Sequence, residues 1–240
     1  PIDIGIAVDT KLENHKIAYG TKNMAKEPAM TREEAEKAME VGIEKVRELS
    51  EQGYKIIATG EMGIGNTTTS SALASYFLQE DVEKMTGRGA GLTSKALEKK
   101  IAVVRKAIAD YSPAFTDAID ALAALGGFDI AGMAGVFLGG AIYRVPIVMD
   151  GFISSTAALT ATRICPACKD FIMASHVSKE PAAEKILAAM DKEAALHCDM
   201  CLGEGTGAVT LFPILDLATQ IYEQMSTFED IEIDAYVELK

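Results

Sequence analysis

Residues 54–78 read "YKIIATGEMGIGNTTTSSALASYFL": a short apolar run, a turn holding three glycines, and a hydroxyl-rich stretch that continues as a helix. A strand that passes through a glycine turn straight into a helix is the repeating unit of a parallel α/β sheet. The turn also raises a chemical question. Glu61 sits among its glycines, just where the apolar run stops and where backbone N–H groups would ordinarily attract an anion.

The same alternation extends in both directions. Upstream, "PIDIGIAV" (1–8) starts as a strand, and "TREEAEKAMEVGIEKVRELSEQG" (31–53) is a helix with Thr31 as N-cap, Glu34 completing a capping box and Gly53 as the stop. Downstream, the hydroxyls of "NTTTSS" are ready caps for the helix through Leu78, and "TSKALEKKIAVVRKAIADYS" (93–112) is a helix ending before Pro113. Then come a strand "VPIVMDGF", helical "ISSTAALTATRI", a strand "KDFIMASH", a helix "EPAAEKILAAMDKE" and a last strand "LHCDMCLGE". The closing helix "GAVTLFPILDLATQIYEQMSTF" is expected to break or kink near Pro213. The fold class is α/β: a Rossmann-like parallel sheet with helices on both faces.

Composition bounds the function. The chain has 240 residues, 49% of them hydrophobic, and a formal net charge of −12, so nucleic acid and an anionic membrane surface are poor partners. Its longest apolar stretch is interrupted by Asp129, Arg144, Pro146 and Asp150, and no basic leader opens it, so a cytoplasmic location is expected. The acidic end, residues 228–240, reads as a solvated tail whose Ile231, Ile233, Tyr236 and Val237 could dock on something. The chain begins at Pro1, almost inside a strand and without an initiating Met, which suggests a missing upstream part. Cys165/Cys168 and Cys198/Cys201 form two C-x-x-C pairs that formally match a four-thiolate zinc site. They fall in different elements, and three-apart positions on a strand face opposite ways. Reduced, mostly buried thiols are therefore the preferred reading, with no metal site.

Three strands end in glycine-containing turns followed at once by a helix: "TGEMGIGNTTTS", "MDGFISSTAA" and "LGEGTGAVT". In a parallel sheet these ends share one edge, so the turns should line one crevice and present N–H donors to an anion. No Gly-Lys-Ser/Thr phosphate loop is present, the glycine spacing is not that of a dinucleotide fingerprint, and "TGRGAGL" (86–92) follows no clear strand. The cation must come from elsewhere, with Lys100 and Arg88 as candidates against the ordinary reading of each as a solvated charge. Glu61 and Glu204 each end a strand inside such a turn. Each could cap its helix through the dipole, or act as a general base.

The segments "EPAMTREEAEKAMEVG", "GEMGIGNTTTSSAL", "GRGAGL", "MDGFISSTAAL", "SHVSKEP" and "LGEGTGA" resemble the nicotinate-nucleotide:dimethylbenzimidazole phosphoribosyltransferase family, in unbroken order from near Ile4 to about Leu217. The resemblance implies a large α/β domain (1–217), a C-terminal part (218–240) contributing to a small helical domain, and a homodimer. It implies 5-phosphoribosyl transfer from nicotinate mononucleotide to 5,6-dimethylbenzimidazole or a related base, with no cofactor and no metal. By position it implies Glu204 as the base, Glu61 as a second active-site glutamate, and Lys100 as the phosphate cation. Gly63, Gly151 and Ser178 would surround the nucleotide, and Met62 and Leu202 would contact the flat acceptor. The family's upstream part has no counterpart here, and Cys201 stands where a basic residue is common. A second reading is a nucleotide-binding partner subunit or truncated homologue without its own catalysis.

Overall fold

The computed structural model describes residues 1–234 and residue 237, so Tyr236 lies outside the described residues. The elements run β1 (Ile2–Asp3), β2 (Glu13–Asn14), α1 (Arg32–Glu51), β3 (Ile57–Ala58), α2 (Asn66–Leu78), α3 (Val82–Met85), α4 (Ser94–Tyr111), α5 (Ala118–Leu125), α6 (Phe128–Tyr143), β4 (Ile147–Met149), α7 (Phe152–Ile164), β5 (Ile172–Ala174), α8 (Ala183–Ala189) and α9 (Thr206–Gln224).

The central sheet is parallel, in the order β3-β4-β5, with Ile57 opposite Ile147 and Ile147 opposite Ile172. Alternation along these short strands divides two apolar layers, because successive side chains leave a strand on opposite faces. Ile57, Ile147, Met149, Ile172 and Ala174 join the main core with the helices α1–α8. Ile56, Ala58, Val148 and Met173 face the other way, onto Ala208, Leu211, Phe212 and Leu215 of α9. Helices therefore cover both faces of the sheet, as the sequence leads one to expect.

Local signals fix the main helices. Thr31 caps α1 with the full capping box: its hydroxyl accepts from Glu34 N–H, and the Glu34 carboxylate accepts from Thr31 N–H at 2.8 Å. Arg32 then ties the start of α1 to the Asp117 cap of α5, and to Asp120, at 2.8 to 2.9 Å.

Several expectations need correction. The first strand is only Ile2–Asp3; beyond it the chain loops outward, held by the Lys16–Asp3 pair at 2.8 Å. The start of α2 takes no hydroxyl cap: Gly65, left-handed at φ 82°, occupies the cap position without a side-chain bond. The last strand is absent. Leu196 makes one parallel bridge to His176, and residues 197–203 are loop, because Asp199 turns left-handed (φ 54°) and takes the chain off the sheet edge. Pro213 lies inside α9 without ending it. Ile231, Ile233 and Val237 are exposed, in keeping with the reading of a solvated tail.

The thiols also differ from expectation. Cys168 alone is buried, and burial pushes its pKa up to about 12; Cys165, Cys198 and Cys201 are exposed. Cys165 and Cys168 lie in the 3-10 turn that feeds β5, whereas Cys198 and Cys201 lie beyond Leu196, past the exit end of the sheet. Among the described residues no cluster of His, Cys, Asp and Glu is placed to hold a metal ion, and no helix is long and apolar enough to cross a membrane.

Candidate active site

The exits of β3 and β4 and the loop after Leu196 meet at one edge of the sheet, and buried polar groups lock them together. Thr59, leaving β3, donates its hydroxyl to Val148 O at 3.0 Å and shares a 2.6 Å hydrogen bond with Ser154 in the first turn of α7. Ser154 Oγ accepts in turn from Asp150 N–H at 3.1 Å. Asp150 is the clamp. Its carboxylate accepts from the N–H groups of Gly205, Gly207 and Ala208 at 3.0, 2.8 and 3.1 Å, which fastens the α9 N-terminus onto the end of β4. The expectation that this helix offers free donors to a ligand is thereby overturned. An internal carboxylate already satisfies them, as an anion at a helix N-terminus should.

His176, buried beside the clamp, donates its Nδ1–H to Ser175 Oγ at 3.0 Å, because the single hydroxyl proton of Ser175 goes to Met149 O. Burial lowers the pKa of its imidazole, and Asp150 opposes that shift. The imidazole occupies the space a side chain on Gly207 would need, and it reaches toward Gly151, next to Ser178.

Glu61 lies half-buried in the first turn. Its Oε2 accepts from Gly63 N–H at 3.0 Å and from the Asn66 amide, which also donates to Asp129 at 2.9 Å. Burial raises the Glu61 pKa; the Gly63 and Asn66 bonds resist this, while the nearby charges of Asp129 and Asp150 add to it. The turn packs so closely on the third turn that a Cβ on Gly60 would come within 2.7 Å of Gly205 N, and Glu61 Oε1 lies beside Gly203. Glu61 is thus set against the segment that carries Glu204.

Glu204 is exposed and left-handed at φ 59°, between Gly203 and Gly205 at 82° and 81°. An L-residue in this conformation is disfavoured by contact between Cβ and backbone, and such outliers concentrate at functional sites. Met62 and Leu202, one in each turn, are 74% and 71% exposed and form an apolar rim.

Lys100 departs from the solvated reading. It is only 6% exposed, and its ammonium donates to Thr67 Oγ1 and to Gly87 O, both at 3.0 Å. Burial pulls its pKa down, with Glu180 opposing. No carboxylate among the described residues pairs with it within 4 Å. A buried ammonium with two neutral acceptors and a third N–H to spare is suited to an anionic ligand. Arg88, the other candidate, is exposed and donates to Leu92 O and Ser94 Oγ.

The geometry thus brings Glu61, Gly63 and the Glu204 turn together, sets Gly151 beside Ser178, and places Lys100 against Thr67, the residue after the Asn66 that holds Glu61. Sequence reading missed Asp150, His176, Asn66 and Asp129. The available signal for Asp150 was an acid ending the apolar "VPIVM" run directly before glycine. A concavity of about 440 Å³, lined by Met30, Arg32, Tyr111, Phe115 and Ala124, lies elsewhere and contains none of these residues.

A family model described as phosphoribosyltransferase matches residues 1–233. Proteins named nicotinate-nucleotide–dimethylbenzimidazole phosphoribosyltransferase are similar along the whole chain. The one from Clostridium acetobutylicum is 53% identical over 242 residues, covering 100% of this chain and 69% of its own. That from Acetivibrio thermocellus is 50% identical over 238 residues, covering 98% and 68%. The crystal structure of CobT from Thermus thermophilus superposes with a TM-score of 0.92 at 36% identity, covering 97% of this chain and 71% of that one. With half of its residues shared from end to end and the same backbone, this chain belongs to the nicotinate-nucleotide–dimethylbenzimidazole phosphoribosyltransferase family.

Proposed function

We propose that the protein transfers the 5-phosphoribosyl group of nicotinate mononucleotide to 5,6-dimethylbenzimidazole or a related base, giving the α-ribotide used as a cobamide lower ligand. The observation that carries this reading is the first turn of α2. Asn66 holds the Glu61 carboxylate and Thr67 receives the buried Lys100 ammonium, while the Glu204 turn closes on Gly60. Lys100, Glu61 and the Glu204 turn lie around the start of α2, which supports reading them as a cation for the phosphate and two carboxylates for the base. The relatives' names favour turnover over a subunit that only binds nucleotide.

The chemistry asks little of the protein. As the bond between C1′ and the pyridinium nitrogen breaks, its electron pair neutralises that nitrogen, so nicotinate leaves without a general acid. The entering benzimidazole nitrogen attacks the opposite face, which inverts the anomeric carbon and leaves a cationic ring carrying one N–H proton too many. Glu204 takes that proton, and Glu61 orients the ring and balances its charge. Lys100 holds the phosphate; Gly63, Gly151 and Ser178 line the nucleotide, and Met62 and Leu202 cover the flat acceptor. A homodimer, a cytoplasmic location and a small helical domain drawing on residues 218–240 belong to the same reading. The exposed Leu217, Ile221, Tyr222 and Met225 of the last helix and its end support an assembled form.

Incubation with nicotinate mononucleotide and a panel of bases should release nicotinate only when an acceptor is present; no release with any base would refute the reading. Glu204→Gln should lower turnover by roughly two to four orders of magnitude, the usual worth of a general base. Near-normal turnover would move the proton to another group.

A further inference from the structure

The glycine-rich strap of residues 86–91, "TGRGAG", has no part in the chemistry above, yet it supplies the carbonyl of Gly87 that holds Lys100. What holds the strap is Glu180. Its Oε1 accepts from Gly89 N–H at 3.2 Å, and its carboxyl carbon lies where a Cβ on Gly87 would come within 2.8 Å, as does Cδ of Pro181. On the other side, a Cβ on Gly89 would meet Thr67 Oγ1 at 2.8 Å. The strap is therefore pressed between Glu180–Pro181 and the first turn of α2, and glycine is needed at both contact points. The second oxygen of Glu180 is buried with no hydrogen-bond partner among the described residues. A carboxylate oxygen left in that state is costly unless a cation lies close by.

We propose that Glu180 is the positioning residue for Lys100: by fixing the strap through Gly87 and Gly89, it holds the ammonium against Thr67, aimed at the nucleotide phosphate. The inference rests on Lys100 being the phosphate cation of the proposed function. Glu180 also supplies the charge that offsets the burial of Lys100. Glu180 is the one charge that acts on the Lys100 ammonium among the described residues, while Arg88 of the strap is engaged with Leu92 and Ser94, and Glu83 and Lys84 of α3 are exposed. Replacing Glu180 by a neutral side chain therefore lowers the pH at which Lys100 loses its proton.

The test compares wild type, Glu180→Gln and Glu180→Ala by calorimetric titration with nicotinate mononucleotide, and by kinetics at saturating acceptor from pH 6 to 10. Glu180→Ala should raise Kd and KM for nicotinate mononucleotide about tenfold, the scale of loss for an outer-shell partner, with kcat nearly unchanged. Glu180→Gln, which can still accept from Gly89, should restore most of the affinity at pH 7 but move the alkaline limb of kcat/KM to lower pH. If the alanine variant does not fold, the alkaline limb of the glutamine variant decides, and an unmoved limb overturns the proposal. A merely structural glutamate would lower the melting temperature while leaving KM, Kd and the limb where they are, which also overturns it. Wild-type protein that does not bind nicotinate mononucleotide overturns the functional reading itself, whereas wild-type binding matched by both variants overturns this inference alone.

Discussion

Glu204 is held in a conformation that ordinary residues avoid, in a run of three left-handed positions. If that backbone serves to aim the carboxylate, glycine at 204 should relieve the strain and abolish the chemistry together. Glu204→Gly is expected to gain about 1 kcal/mol in urea denaturation, the lower end of the left-handed cost, offset in part by the freedom glycine adds to the unfolded chain. Turnover should fall at least as far as in the glutamine variant. Glu61 carries a second consequence, set by burial first and by Asp129 and Asp150 after it. An acid whose folded-state pKa is raised supports the fold most at low pH and costs stability once pH climbs past its unfolded value. Glu61→Gln should therefore melt higher than wild type at pH 8, with the gap closing toward pH 4. A gap that widens on acidification would mean that the carboxylate is stabilised rather than strained by its surroundings.

At the scale of elements, the N-terminus of α9 is fastened to the end of β4 by one side chain, since the N–H groups of Gly205, Gly207 and Ala208 end on Asp150. Asp150→Ala should cost about 2–3 kcal/mol, because bonds to a charged group are lost and buried donors are left unpaired. It should also release the Glu204 turn, so that turnover falls even at temperatures where the fold persists; thermal melts and initial rates separate the two effects. The crossing of α1 and α6 offers a control remote from chemistry. A Cβ on Gly42 would come within 2.7 Å of Val136 N, so Gly42→Ala should cost about 1–3 kcal/mol by overpacking, with kcat of the folded protein unchanged. These contacts also mark what could be read beforehand. The cap of α1 at Thr31 and Glu34 and the span of α2 follow from neighbours in sequence, and both were legible. The false last strand at residues 196–204 has the composition of a strand, but pairing is decided by a distant partner, and only Leu196 finds one in His176. Asp150 gripping residues 205–208 and the strap closing over Lys100 are likewise contacts between segments far apart in the chain. A helix pattern shows that Lys100 is on α4, but it cannot show that residues 86–91 bury it.

For the whole molecule, the formal charge of −12 and the anionic nucleotide are at odds, and the conflict is one of distance. The net charge acts on an approaching nucleotide from tens of ångströms away, where solvent ions intervene. In the proposed function Lys100 acts at contact, held by Thr67 and Gly87, where they do not. The screening length falls from about 30 Å at 0.01 M salt to about 10 Å at 0.1 M, so added salt removes the distant repulsion before it weakens the local attraction. Most proteins that bind phosphates through exposed basic patches lose affinity over that range. Here kcat/KM for nicotinate mononucleotide should instead rise, by up to roughly threefold, between 0.01 and 0.1 M sodium chloride, as expected when steering at long range is unfavourable and is then screened. The neutral acceptor base feels neither force, so its KM should stay flat over the same range. A steep fall in kcat/KM for the nucleotide would show that exposed cations bring it in, and would transfer the phosphate from Lys100 to a surface residue such as Arg88.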